Sequence, residues 1–297
     1  MTTVRAVPDS VMPHLFQAAD KASLQAQHSY IKGTRNRLLM LSGAAVMGVL
    51  SWRVGGGHVD LFGIVGVVAF LIATLTELDS WRSRPDKAWY DGRAVAESAK
   101  TLAWKFAVGA LPFPIEMELT EARRALISRF QSIRDEFEGL ELEALPAAAV
   151  SDWMLQQRGS NLEDRRRTYL VARIKDQQEW YSAKAALNKR RSKRWRFALV
   201  AFEIAGAVTS LLAALIENML ALSPALAAVV AAMVAWTGAK QYDFNARAYS
   251  AAISDLVHAE EKLKLAEDEA SWAKEVDDAE EAISREHVVW WATRSRI

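Results

Sequence analysis

Residues 218–239 read NMLALSPALAAVVAAMVAWTGA, a stretch without a single charge, between Glu217 and Lys240. A bilayer core about 30 Å thick takes about 20 apolar residues as helix, so this stretch spans outright, over about 219–239. Ser223-Pro224 inside it is a helix start, a capping residue followed by Pro at the first helical position. Working outward, Phe197–Ile216 is a second block, interrupted by Glu203 alone, and Leu61–Thr76 is a third, stopping at Glu77. The fourth, Leu38–Trp52, lies between Arg37 and Arg53. These three reach a span's length when their polar flanks snorkel, over about 197–217, 59–77 and 38–54. Block Leu38–Trp52 is the weakest, with a re-entrant hairpin as its alternative. A buried core helix explains one such block, but four in two close pairs in 297 residues point to membrane insertion. No segment alternates as a strand. The fold class is therefore all-α: an integral membrane helical protein of two transmembrane hairpins continued by long cytoplasmic helices.

The averages hide this pattern. Net charge is +1 and a quarter of the residues are charged, which argues against a nucleic-acid coat. With no cysteine, disulfides, thiolate zinc sites, iron–sulfur clusters and a cysteine nucleophile are excluded. The phosphate-loop, dinucleotide and zinc-protease motifs do not occur. The histidines at 14, 28, 58, 258 and 287 are scattered, and Glu286-His287 or His258 with Glu261 lacks metal-ligand spacing. No serine sits in a nucleophile elbow. The reading is a non-enzyme with no catalytic residue, no cofactor, no metal and no nucleic-acid partner. The first 30 residues carry His14, Asp20, Lys21 and His28 and contain no apolar run of the signal-peptide kind.

Basic residues orient the chain. Lys32, Arg35 and Arg37 precede the first hairpin, and Arg82, Arg84 and Lys87 follow it; the run Lys189–Arg196 precedes the second, with Lys240 and Arg247 after it. The first outer turn holds only Arg53 and the second has no Lys or Arg. This bias places both termini and the middle segment in the cytoplasm. Trp52, Trp81, Trp195 and Trp236 lie near block ends, as interfacial anchors or as packing residues.

The two pairs look like one unit used twice: residues 1–115 form a first two-transmembrane unit, 116–160 a cytoplasmic helix and linker, and 161–297 a second unit. Arg93-Ala94 and Arg247-Ala248 follow their hairpins at comparable distances. Such units favour symmetric assembly, hence a homo-oligomer in the lipid bilayer. Pro112 and Pro114 end a helix begun near Asp86. Thr120–Phe137 is amphipathic, with Leu126, Ile127, Phe130, Ile133 and Phe137 on one stripe. Glu138–Gly159 reads as a linker with one short helix. Ser160 and Glu163 make a capping box, and from Asn161 to Asn218 no Pro intervenes. The last span continues as a helix that folds back near Asp268–Ser271.

Glu203 is the residue to single out. A carboxylate in lipid is costly and should face protein or water, as an ion pathway or gating charge, or as an interfacial acid paired with Arg196. Gly206 with Ser210, and Ala227, Ala231 and Ala235, repeat at four-residue spacing, which suits ordinary helix packing, self-association or a narrow pore lining. Lys189, Arg190, Arg191, Lys193, Arg194 and Arg196 form a topology signal that also suits anionic headgroups. The acidic stretch Glu260–Glu286 either pairs with that run or stays a solvated face.

A family resemblance adds to this. Trp89, Tyr90, Asp91, Gly92, Arg93, Ala94, Glu97, Lys100-Thr101, Trp104 and Pro112-Phe113 resemble one branch of the two-transmembrane effector domains associated with nucleotide-second-messenger synthases and SLOG sensors, the SLATT domains. Tyr169, Arg173, Asp176-Gln177, Trp180-Tyr181, Lys184-Ala185 and Asn188, then Glu280 to Ile283, Arg285, Glu286, His287 and Trp290, resemble another branch. The resemblance implies a bacterial inner-membrane effector of conflict or antiphage systems, pore-forming or membrane-perturbing, with a nucleotide-signalling or sensor partner still to be identified. The chain departs from the commonest arrangement in having two membrane units and no recognisable synthase or sensor. A non-conducting scaffold or sensor is the rival expectation, and a small secondary transporter the third.

Overall fold

The structure, a computed structural model, describes residues 7–50, 53–54, 59–144, 147–217 and 219–294, and of 53–54 and 285–294 the backbone only. Trp52, the Gly55–Gly57 turn, His58 and Asn218 lie outside the described residues, as do the side chains of Arg285, Glu286, His287 and Trp290. The chain forms two compact units. The first comprises Met1–Gln27, Asp86–Ala185 and Arg247–Ile297, and the second His28–Pro85 and Ala186–Ala246.

The second unit holds the apolar blocks. Helix α1 (His14–Val49) supplies its latter part, followed by a two-residue antiparallel pair, β1 (Arg53–Val54) with β2 (Val59–Asp60), and then α2 (Leu61–Ser83). Asp60 starts α2, its carboxylate accepting from the Phe62 and Gly63 amides at 3.0 and 3.3 Å. Farther on, α7 (Asp176–Leu215) and α8 (Ser223–Lys240) carry the other pair of blocks. Counted with the helices that continue them, three helices among the described residues are long and apolar enough to cross a membrane: Leu61–Val108, Leu162–Leu215 and Ser223–Leu265. At most 11% of the residues in their apolar windows are buried. Phe197, Val200, Ile204, Val208, Leu211 and Leu215 make an exposed apolar stripe along α7. Lipid is the solvent such a stripe fits.

The expected fourth span does not appear among these. Of that block α1 carries Leu38–Val49 as helix, and Ser51 and Trp52 at its end lie outside the described residues. That segment still packs on α2, where Ala44, Ala69 and Ala73 are buried and Gly66 faces the Ala44 carbonyl.

Both hairpins leave their last apolar helix through a left-handed residue. Arg84 (φ 40°) joins α2 to α3 (Pro85–Val108), and Gln241 (φ 48°) joins α8 to α9 (Tyr242–Leu265). The Arg84 amide donates to the Ser80 carbonyl at 3.0 Å and the Gln241 amide to that of Thr237 at 2.8 Å. The same bend thus follows each membrane pair. Ser223 does not cap α8; Leu222 holds that position, with Pro224 in the first turn.

The first unit has an extensive core. Into it pack the start of α1, α3, α4 (Leu119–Glu136), α5 (Asp152–Arg158), α6 (Leu162–Tyr169), the first part of α7, α9 and α10 (Glu269–Arg294). Met12, Phe16, Val95, Trp104, Phe106, Phe113, Leu126, Met154 and Trp272 are almost fully enclosed. Each large side chain buried in this way contributes about 1.5–3 kcal/mol. Close approach is set at Gly92, where a Cβ would come within 3.1 Å of the Ser23 backbone.

Several boundaries differ from the sequence reading. α3 stops at Val108, because Gly109 takes φ +73° four residues into the expected helix end, before Pro112 and Pro114. The cap of α6 is Asn161, whose side chain accepts from the Asp164 amide at 2.9 Å, while Ser160 turns to the Gln157 carbonyl instead. Ile127 faces out of the α4 stripe, and Leu126 and Phe130 face in. The fold-back falls as expected: Asp268 accepts from the Ser271 amide at 2.8 Å, and the Ser271 hydroxyl accepts from the Asp268 amide at 3.1 Å, at the start of α10.

The Asn161–Asn218 stretch is one continuous helix from Leu162 to Leu215, with a feature the sequence did not announce. Residues Leu170–Lys175 form a π turn between α6 and α7.

Candidate functional site

The second unit brings the singled-out residues together. Glu203, Gly206 and Ser210 of α7 face Ala227 and Ala231 of α8 across an open groove of about 640 Å³. The antiparallel helices approach because the facing side chains are small: a Cβ on Gly206 would lie 4.0 Å from that of Leu226. Ser223 and Ser210 stand towards one end of the groove and Glu203 towards the other. Ala235 does not line it. The result is an apolar trough with one exposed carboxylate and two hydroxyls, which can receive a cation or water but offers no nucleophile–base pair.

Glu203 does not pair with Arg196. That guanidinium instead binds Asp243, which also accepts from the Ser192 hydroxyl at 2.6 Å. Lys189, Arg190, Arg191, Lys193 and Arg194 are exposed on α7. The acidic stretch neither pairs with them nor stays solvated throughout. Glu260 pairs with Lys264, Glu269 with Arg165, Asp277 with Lys105 and Glu280 with Arg173.

The last of these is the centre of a second site, in the first unit. Glu280, fully enclosed, accepts four hydrogen bonds: from Arg173 Nε at 2.9 Å, Arg173 Nη2 at 2.7 Å, the Tyr169 hydroxyl at 3.0 Å and the Thr101 hydroxyl at 2.8 Å. Burial alone weighs against the Arg173 charge, but the adjacent Glu280 outweighs it and holds the guanidinium firmly protonated. Burial and the same carboxylate push the Tyr169 phenol well above its usual value. One donor of this cluster is left over: Arg173 Nη1 is buried without a hydrogen-bond partner.

A neighbouring arginine pair closes the end of α3. Arg165 Nη1 donates to the Val108 carbonyl at 2.9 Å, which also accepts from Trp272 Nε1 at 2.9 Å. Arg158 donates to the carbonyls of Phe106 and Phe113, at 3.1 and 2.7 Å, and of Pro114 at 2.7 Å. Burial, then the nearby Arg165, lowers the Arg158 pKa. The two arginines thus bind carbonyls of the last turn of α3, Phe106 and Val108, and of the loop that follows it, Phe113 and Pro114.

The motif residues of the resemblance gather around the same core. Trp89 is buried and stacks on Tyr90, and Arg93 bridges Glu97 at 2.6 Å and Asp20 at 3.8 Å. Burial opposes the Arg93 charge, but Glu97 and Asp20 raise its pKa on balance. Trp104 lies edge-on to Trp153 and Tyr169. Trp180 and Tyr181 pack on Tyr249. Sequence reasoning passed over Arg158, Arg165 and Glu269. The spacing Arg165–Tyr169–Arg173 was the available signal, since i, i+4, i+8 lie on one helix face.

The comparison with family models fits this pairing of two halves. Residues 13–166 match the SMODS and SLOG-associating 2TM effector domain 3, and residues 169–290 match the SMODS and SLOG-associating 2TM effector domain 1. The chain belongs to the SLATT family. It carries two SLATT domains in tandem, which makes it a membrane effector of the kind associated with SMODS/SLOG conflict systems. Thr101 and Trp104 come from the first SLATT domain and Tyr169, Arg173 and Glu280 from the second, so the buried polar cluster joins the two. No curated protein and no solved structure matches the chain.

Proposed function

We propose that the chain is an oligomeric bacterial inner-membrane effector that opens a path for ions, with both termini in the cytoplasm. α7 and α8 supply the path, Glu203 stands near its cytoplasmic mouth, and the small-residue face of α8 packs subunits together. The first unit holds the path shut until a trigger biases a two-state arrangement. The observation that carries this reading is the groove: Glu203, Gly206, Ser210, Ala227 and Ala231 line one trough on helices whose outer faces are apolar. A carboxylate kept in such surroundings is expensive unless it serves a cation or a water column.

The test is membrane potential, followed with a voltage-sensitive dye after induction in bacteria. Depolarisation that Glu203→Ala removes at equal membrane levels supports a conducting effector with Glu203 in its path. Depolarisation in both strains keeps the path and removes this residue from it. Ion-tight membranes under every condition overturn conduction and favour a scaffold that recruits a partner.

A further inference from the structure

Helix α7 sorts the basic run Lys189–Arg196 onto different faces. Ser192, which is buried, and Arg196 turn to the start of α9, where both bind Asp243. Arg191 lies near Lys240 of α8, whose ammonium stands over the Trp236 ring at 5.1 Å. Arg190, Lys193 and Arg194 occupy a third face, and all three are exposed. They precede Phe197 by seven, four and three residues, the spacings that align side chains on one side of a helix.

Phe197 begins the apolar stripe of α7. Val200, Ile204, Val208, Leu211 and Leu215 continue it at the same spacing, every one exposed, and Phe197 itself is 78% exposed. No residue in the apolar window of this helix is buried. The stripe is about 27 Å long at 1.5 Å per residue, close to a hydrocarbon thickness of about 30 Å. Lys193 and Arg194 lie about 4.5–6 Å beyond its end, and Arg190 about 10 Å beyond. The headgroup layer outside the hydrocarbon is about 5–7 Å thick on each side. Lys193 and Arg194 therefore stand at the level of the phosphates, and Arg190 reaches them by snorkelling back.

The hairpin has no carboxylate to neutralise these cations. The acids in residues 186–246 are Glu203, Glu217 and Asp243. Glu203 lies inside the apolar block and Glu217 at its far end, while Asp243 is taken by Arg196 and Ser192. A second copy of this hairpin would meet the three cations without a charge to pair them. A phosphodiester supplies that charge, and the chains attached to it cover the stripe.

We infer that Arg190, Lys193, Arg194 and the stripe beside them form a binding face for an anionic phospholipid, its phosphate on the three cations and its acyl chains along Phe197–Leu215. The face lies on one helix and stands whether or not the protein conducts.

The test uses the full-length protein in a mild detergent, with phosphatidylglycerol or phosphatidylcholine of the same acyl chains added and the retained lipid counted by native mass spectrometry. The parent should retain phosphatidylglycerol in preference. Each basic residue at an anionic surface is worth about five-fold in binding, so Lys193→Gln/Arg194→Gln should cut that preference about 25-fold. Arg191→Gln/Lys240→Gln removes the same charge from another face and should leave the preference within about two-fold. Glycerol phosphate, the headgroup without chains, should not displace the lipid even in large excess.

No preference in the parent overturns the proposal, as does a preference unchanged in Lys193→Gln/Arg194→Gln. An equal loss in the two double variants also overturns it, since that is a diffuse field and not a face. Displacement by glycerol phosphate overturns the lipid in favour of a simple anion site. Near-ultraviolet circular dichroism checks the fold of each variant. If Lys193→Gln/Arg194→Gln does not fold, Arg190→Gln decides alone, with a loss of about five-fold expected and an unchanged preference overturning the proposal.

Discussion

Replacing Glu280 by alanine tests whether the buried cluster holds the first unit together. The carboxylate is fully enclosed and accepts four hydrogen bonds, two of them from an arginine that is itself 1% exposed. Its removal leaves the Arg173 charge without a counter-ion and the Tyr169 and Thr101 hydroxyls without an acceptor. Breaking a buried ion pair by deleting one partner costs about 3–5 kcal/mol. For a unit of this size each kcal/mol moves the melting temperature by about 2–4 °C, so Glu280→Ala should melt about 6–20 °C lower. The double variant Arg173→Met/Glu280→Leu removes both charges and restores apolar volume. It should recover most of the loss, because a pair replaced by apolar groups is often neutral. Thermal unfolding in detergent, followed by near-ultraviolet circular dichroism of the buried tryptophans, reads both. Glu280→Ala melting within about 1 kcal/mol of the parent would refute the reasoning, as would a double variant no better than the single one.

Three further expectations concern the same unit. Gly109→Ala forces a side chain into φ +73° and sets a Cβ 2.7 Å from Arg165 Nη1, so it should destabilise by about 1–3 kcal/mol in the same melt. Arg158→Ala leaves the Phe113 carbonyl without its donor and takes one of two donors from the Phe106 and Pro114 carbonyls, which keep the Gly109 and Met117 amides. It should cost about 1–3 kcal/mol and expose the Gly109–Met117 segment to early proteolysis, seen by limited digestion. Asp268, at the start of α10, has its pKa held below the ordinary 3.8 by the Ser271 hydroxyl and amide. A depressed carboxylate pKa means stability present above the ordinary value and lost as pH falls through the lowered one. Asp268→Asn should therefore lower the neutral plateau of the melting curve and flatten its acid limb below pH 3.8.

The membrane blocks were legible because apolar length is a one-dimensional property, and 218–239 needs no tertiary knowledge to be read. The groove was half legible: four-residue spacing of small residues predicts a close face, and Glu203 stood out as the one charge in its block. Leu38–Trp52 was the hardest block to read, since its apolar run is short and begins directly after Arg35 and Arg37 in the same helix. The arginines were missed for a general reason. Charged side chains default to the surface in any sequence reading, and burial of Arg158 and Arg165 depends on carbonyls and carboxylates distant in sequence. Pairing Glu280 with Arg173 requires knowing that α10 returns to the π turn between α6 and α7, and no local pattern states that. The π turn is equally silent, because its one extra residue has no composition of its own.

The two left-handed bends at Arg84 and Gln241 have a mechanical meaning. Glycine would adopt that backbone freely and leave a swivel, able to absorb any push from the following helix. A side-chain-bearing residue there has a single narrow well, bounded by steric walls on every side. Each exit from an apolar helix is thus a stiff crank of the same hand, tied back to Ser80 in one case and Thr237 in the other. Glycine at position 84 or 241 would keep the bend and widen the range of backbone angles open to it.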